Sequence, residues 1–336
     1  MSLRDTEQLS QMVLNTLHAK AVCIVANLGI ADQIPLGASK SATDIAKATG
    51  CHAPSLYRML RLLASHGVFN EISAGTFEHT SLSGALRADT EGSFHAGAKL
   101  FHQVFELFDK LDHTVQTGES GIMKMFGTSL FEYLKDKPEL AALFDAGMTS
   151  FHGYETGAML DAYDFSGIGV LADLGGGNGS LLAGVLRRYP QMRGILFDME
   201  HVVGRAGQSA HLKSVAERCK TVAGSFFETA PAGADAYLMR HVLHDWTDEQ
   251  CASILENVRR VVPPQGRLLI VECVVPAGNV RSISKDYDIL MMVGPQGLER
   301  TEAQFRMLFQ QSGFQLTGIT PTSSMISVIE GKPVAR

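Results

Sequence analysis

The stretch HVLHDWTDEQ, residues 241–250, sets two histidines three apart, with Asp245 beside the second and the chain's only tryptophan, Trp246, after it. Three chemistries could use it. A zinc site needs a third ligand at a spacing that brings it in; Cys251 and Asp245 are at hand, but no spacing recruits them, and no metal is expected. A helix start would draw its cap from Asp245, Thr247 or Asp248, with Asp248 expected in that role. A proton-transfer site needs an imidazole, whose ordinary pKa of about 6.5 lets it accept a proton near neutral pH. His241 reads as a packed residue inside a strand. His244 falls just past the carboxyl end of that strand, the edge where doubly wound sheets bind ligands. His244 is therefore the expected base.

A second stretch, LADLGGGNGSLL, places Gly175, Gly177 and Gly179 between a short apolar strand and a helix. Glycines there let the backbone approach a ligand and turn tightly into the helix. Asp198 ends the next strand, where a carboxylate can accept hydrogen bonds from ribose hydroxyls. These features suit a dinucleotide and S-adenosylmethionine alike. Asp173, two residues before the first glycine, makes an acidic mouth suited to a cationic amino acid moiety and favours the methyl donor.

The elements that must hold these residues fall into two halves, expected at 1–155 and 156–336. The first reads as helices with one hairpin. SATDIAKATG has Thr43 or Asp44 as a helix start and Gly50 as a stop. APSLYRMLRLLASHG follows with Leu56, Met59, Leu60 and Leu63 on one stripe, then two short strands about a Gly-containing turn. Helix, helix, hairpin is the order of a winged helix-turn-helix, which raises a DNA-binding regulator as a second function. Its first 100 residues carry as many acidic as basic side chains, whereas DNA binding needs a basic face. Apolar helices without such a face are better suited to packing on a second copy of the chain. From residue 156 strands alternate with helices, which implies a parallel sheet. The last two strands, GFQLTGIT and SMISVIEG, are separated only by PTSS and must pair antiparallel.

Composition bounds the rest. Hydrophobic residues make up 45% and charged residues 19% of 336, the balance of a globular chain with a sizeable core. A net charge of −6 offers no general attraction to a polyanion. No apolar run approaches the roughly 18–20 residues of a membrane span, and the first residues lack a signal-peptide pattern. Five cysteines, never in a CxxC pair, read as reduced thiols. A cytoplasmic protein with no membrane or nucleic-acid partner is expected.

With DLGGGNG, FD, HVLHDW, VEC and GLERT in this order, the chain resembles the plant-type small-molecule O-methyltransferases. That family spans caffeate, isoflavone and hydroxyindole methyltransferases and bacterial relatives acting on phenazines and polyketides. The resemblance covers essentially the whole chain. It implies a class I methyltransferase sheet with an antiparallel end, a winged-helix dimerisation domain, a homodimer, and S-adenosylmethionine as methyl donor. It gives cofactor roles to Asp173, Gly175, Gly177, Asp198 and the following Met199, to Ser225 and Phe226 at the adenine, and to Arg240 and Trp246. Ser225 stands where the family usually has an aspartate, and Met199 and Glu200 replace a common Leu-Pro. Glu272 and Glu299 match the family's glutamates flanking the base, there to orient the imidazole and offset its charge. Phe144, Met148, Phe151 and Met291 are placed towards an aromatic substrate, and Gly294 stands where an asparagine is common. The implied reaction is metal-independent methylation of an aromatic hydroxyl. Some members of the fold use the cofactor for hydroxylation or decarboxylation; retention of the histidine with both glutamates argues against that here.

Overall fold

The computed structural model describes residues 3–335 as two compact units. The first holds residues 3–106 together with 137–152; the second holds 107–136 and 153–335. The segment 107–136 packs with the second unit. The reason is visible in its contacts: Leu107 and Ile122 are buried against Val293.

In the first unit the helix Ala42–Thr49 is capped by Ser41, whose hydroxyl accepts from the Asp44 N–H at 3.0 Å, and it stops at left-handed Gly50. The start therefore lies ahead of Thr43, because Ser41 has the extended backbone a cap needs and Asp44 falls in the first turn. The helix Ala53–Ser65 buries Leu56, Leu60 and Leu63, one face at helical spacing. Strands β1 (Ser39–Ser41), β2 (Phe69–Ser73) and β3 (Thr76–His79) form a sheet of order β1-β3-β2. The hairpin is the expected one; β1 was not anticipated.

The long first helix, Leu3–Asn27, has a feature that run length alone does not show. It is the one helix among the described residues long and apolar enough to cross a membrane, with a mean hydropathy of 1.3 in its most apolar stretch. Polar residues such as Gln11 and Asn15 interrupt its apolar ones in sequence, so no unbroken run shows although the average is high. Leu9, Met12, Val13 and Leu17 are each more than half exposed. A contiguous exposed apolar stripe of that kind is uncommon on a monomeric surface.

The second unit is built on seven strands: β4 (Val170–Leu174), β5 (Arg193–Asp198), β6 (Cys219–Ala223), β7 (Ala236–Arg240), β8 (Arg267–Cys273), β9 (Phe314–Pro321) and β10 (Ile326–Pro333). Their order is β6-β5-β4-β7-β8-β10-β9, parallel from β6 to β8 and antiparallel through β10 and β9. This is the class I methyltransferase arrangement the sequence implied. The strand order reverses between β4 and β7, and the carboxyl ends of those neighbours open the crevice where such sheets hold ligands. β6 carries little apolar signal, being a half-exposed edge strand.

Both sheet faces are covered. On one, the helix Asp248–Val261 buries Cys251, Ile254, Leu255 and Val258, each aliphatic side chain contributing about 1.5–3 kcal/mol relative to exposure. Thr247, not Asp248, caps this helix: its hydroxyl accepts from the Gln250 N–H, and Gln250 reciprocates. Asp248 is drawn away because its carboxylate pairs with Arg300 at 2.8 Å. On the other face the helix Ser180–Arg188 buries Leu181, Leu182, Val185 and Leu186 against β4 and β5.

Candidate active site

At the end of β4 the chain enters the glycine loop with Gly175, Gly177 and Gly179 all at positive φ. A Cβ on Gly175 would lie 2.9 Å from Val242, so the loop and the segment after β7 approach as closely as glycine permits. Asp198 closes the loop from β5: its carboxylate accepts from the Gly177 N–H at 2.9 Å and from the Met199 N–H at 2.7 Å. Met199 is well exposed at the start of the next helix.

Asp173 is buried beneath the loop, and one of its carboxylate oxygens has no hydrogen-bond partner. Burial pushes its carboxyl up to about 7, with Arg240 pulling down and Asp198 pushing up. Arg240, at the end of β7, donates to the Thr156 hydroxyl at 3.0 Å; burial lowers its pKa against the raising effect of Glu155 and Asp173. A buried acidic oxygen under a backbone cradle suits a ligand that brings a cationic donor.

Aromatic rings gather beside the loop. Phe226 and Phe227 meet Trp246 edge-on, at 6.2 and 4.8 Å between centroids, and Phe131 stacks on Trp246 at 5.6 Å. Ser225 precedes them, accepting from the Phe227 N–H. Asn257, which sequence reasoning passed over, donates to the Phe226 carbonyl at 2.9 Å. The only available signal was an asparagine on the apolar face of an otherwise amphipathic helix.

The opening stretch resolves into a turn. β7 ends at Arg240, and His241 has φ 52°, an uncommon conformation for a non-glycine residue, rather than lying inside the strand. Its Nε2 lies 2.8 Å from the buried Glu155. Residues Leu243–Asp245 then form a single 3₁₀ turn. Each histidine bonds a different carboxylate, their rings 5.0 Å apart.

His244 is 5% exposed, and its Nδ1 lies 2.8 Å from Glu299 Oε1. With Nδ1–H donated to that carboxylate, Nε2 is the nitrogen left to accept a proton; Asp245 Oδ1 stands 3.7 Å from it. Glu272, at the end of β8, does something other than orient the ring. One carboxylate oxygen accepts from the backbone N–H groups of Val242, Leu243 and His244 at 3.2, 2.7 and 3.2 Å. It holds the turn, and Glu299 holds the imidazole.

The electrostatics depart from the ordinary imidazole assumed from the sequence. Burial works to lower the His244 pKa, but Asp245, Glu299 and Glu272 together push it up to about 10. Burial also raises the acids, Glu272 to about 7 and Asp245 to about 6, each pulled back by His244. His244, Asp245 and Glu272 perturb one another and titrate as coupled groups. Such an imidazole captures a proton readily and holds it as a stabilised imidazolium.

Met291 sits on the helix Ile283–Val293, and its carbonyl accepts from the N–H groups of Gln296 and Gly297 at 3.0 and 3.1 Å. It anchors the segment that carries Glu299. Gly294, at the end of that helix, donates its N–H to Leu290. Phe144, Met148 and Phe151 belong to the helix Pro138–His152 of the first unit. There Phe151 packs edge-on against Phe94 at 4.8 Å and beside Phe101 at 5.1 Å, a core contact within that unit.

Residues 108–315 match an O-methyltransferase domain, and residues 11–89 match an O-methyltransferase dimerisation domain. The chain is 40% identical to phenazine O-methyltransferase PhzM of Lysobacter antibioticus, over 97% of this chain and 96% of that protein. It is 34% identical to mitomycin biosynthesis 6-O-methyltransferase of Streptomyces lavendulae, over 94% and 90%. Among solved structures, CalO1, a methyltransferase in calicheamicin biosynthesis in its SAH-bound form, superposes with a TM-score of 0.85 at 34% identity, covering 99% of this chain and 100% of that one.

Proposed function

The chain belongs to the O-methyltransferase family, and from that premise we propose that its S-adenosylmethionine-dependent methyl transfer to an aromatic hydroxyl uses His244 as general base and no metal. When bound, S-adenosylmethionine supplies a methyl group on a positively charged sulfur, ready for in-line displacement. The chain's residues do the rest. Asp198 would accept from the ribose, the unpartnered oxygen of Asp173 would receive the cationic amino acid end, and Phe226 with Trp246 would cover the adenine. Gly175 and Gly177 admit the ligand to backbone distance, with Met199, Ser225 and Arg240 completing the cradle.

A neutral phenol is a poor nucleophile, and His244 Nε2 takes its proton as the methyl moves. Glu299 keeps the ring in one tautomer and offsets the charge that forms. The observation that carries this reading is the buried His244–Glu299 pair at the carboxyl edge of β7, beside the glycine loop on β4. Met291 is proposed as a wall for an aromatic substrate of the phenolic or phenazine kind; Phe144, Met148 and Phe151 lie on a helix of the first unit, where Phe151 packs against Phe94 and Phe101. Product mass tests the reaction. A panel of hydroxylated phenazines and phenols should gain one methyl, and a gain of oxygen or a loss of carbon dioxide would overturn it.

Asp198→Ala should weaken S-adenosylhomocysteine binding at least tenfold, measured by calorimetry, because the ribose loses its acceptor. Chelator should leave wild-type binding and turnover unchanged; a chelator-sensitive enzyme would refute the metal-free assignment. A third outcome concerns assembly. The exposed stripe Leu9, Met12, Val13 and Leu17 lies on the first helix, part of which falls within the matched dimerisation domain, and we place a second copy on it. Light scattering should return about twice the chain mass of 36.3 kDa. A monomer at micromolar concentration would contradict it.

A further inference from the structure

The turn that carries His244 is a short piece of backbone with few neighbours of its own kind. A 3₁₀ turn satisfies little of its own hydrogen bonding, so its remaining N–H and C=O groups must be met from outside. Glu272 meets the N–H groups. The carbonyls of Leu243 and Trp246 are met by two side chains, the Cys251 thiol at 3.2 and 3.6 Å and the charged Arg300 at shorter range. Arg300 is 1% exposed, and its guanidinium donates to the Leu243 carbonyl at 2.8 Å and to the Trp246 carbonyl at 2.9 Å. Its Nε donates to Asp248 at 2.9 Å, and a terminal nitrogen lies 3.3 Å from the Cys251 sulfur.

The two carbonyls flank His244 on either side, at positions 243 and 246. Arg300 is also the residue next to Glu299, which bonds the ring. One segment therefore meets His244 at three places: Leu298 N–H on its carbonyl at 2.9 Å, Glu299 on its Nδ1, and Arg300 on the carbonyls around it. A guanidinium suits the task, since its planar fork presents several donors at fixed angles. Lysine offers the same charge on a single nitrogen and cannot span both carbonyls in that way.

We propose that Arg300 is a positioning residue of the methyl transfer: it clamps the carbonyls at 243 and 246 and so fixes where His244 points its Nε2. The proposal rests on His244 being the base. Its role is distinct from holding the fold of the sheet, because the atoms it holds belong to the catalytic turn. Arg300 makes no hydrogen bond to the glycine loop, and of the proposed adenine cover it touches only the backbone carbonyl of Trp246, not the ring.

Arg300→Lys is the first test. The expected result is a turnover at least tenfold lower, with S-adenosylhomocysteine affinity within about twofold of wild type. In a cycle with His244→Ala, the double variant should be no slower than His244→Ala alone, because both act through the same ring. Full turnover in Arg300→Lys overturns the proposal. So does a fall in cofactor affinity matching the fall in turnover, or effects that multiply in a cycle whose His244→Ala arm is itself slow.

His244→Ala on its own reports on the base. If it turned over normally, that reading would fail; Arg300 would then be judged by its own turnover, slow supporting a clamp on another group of the turn and normal overturning it. Asp248→Asn covers the case in which Arg300→Lys does not fold. It removes the charge outside the clamp and leaves both carbonyl bonds, so turnover should stay within about threefold. A larger loss would mean that the ion pair matters rather than the clamp, and would overturn the proposal equally.

Discussion

His244→Ala should lower turnover by about 10²–10⁴, the usual worth of a positioned general base, while leaving S-adenosylhomocysteine affinity nearly intact. The pH dependence is the sharper part. A base must be deprotonated to act, and in the ligand-free protein its neighbours push His244 up to about 10. Its protonated, inactive form therefore dominates at neutral pH before cofactor binds. The limb of kcat/KM controlled by free enzyme should rise with pH through 7 and continue above 8. Bringing a sulfonium beside the imidazole adds a like charge, which favours the neutral ring and moves its pKa down. The corresponding limb in kcat should then lie at lower pH than in kcat/KM. Stopped turnover assays across pH 5.5–10 separate the two. His244→Ala should lose the limb and recover in part where the phenol ionises unaided. Near wild-type turnover in that variant at neutral pH would mean the substrate loses its proton without help.

Gly297→Ala should be nearly as damaging without touching any reacting group. A Cβ there would stand 1.8 Å from the His244 carbonyl oxygen, 2.7 Å from its carbonyl carbon and 2.8 Å from that of Asp245. All three are backbone atoms, so no side-chain rotation relieves the clash. Either the turn or the segment carrying Glu299 must move by about an ångström, a misplacement that can cost about 10²-fold in rate. Cofactor affinity should change little, because the glycine loop lies on another strand. Turnover and S-adenosylhomocysteine affinity, measured on the same preparation, give the answer. An alanine variant with full activity would show that the turn tolerates displacement and that the position of His244 is not set by this contact.

Sequence carried the second unit further than the first. The glycine loop, Asp198, His244 and the alternation of strands with helices follow from local patterns: apolar runs, turn residues, and a spacing fixed by the strand–loop–helix unit. What stayed hidden depends on long-range placement. Glu272 and Glu299 are 27 residues apart in the chain, and nothing local tells which of them reaches a ring and which reaches a backbone. Asn257 and Arg300 look like ordinary helix and loop residues until burial is known. The His244 pKa could not be read either, since it depends on three carboxyl groups from three separate segments converging on one ring. The cap at Thr247 was missed for a similar reason: Asp248 is an equally good cap by type, and only its pairing with Arg300 takes it away.

The ring cluster beside the glycine loop has a practical side. Trp246 is the single tryptophan in 336 residues, it is held between Phe131, Phe226 and Phe227, and its indole N–H has no hydrogen-bond partner. Selective excitation of indole therefore draws emission from one place in the molecule, two residues from His244 and against the proposed adenine cover. Tyrosine and phenylalanine elsewhere contribute nothing at that wavelength. The chain carries its own label, and occupancy of the nucleoside end can be followed by light in the native enzyme, with no dye attached and no residue changed.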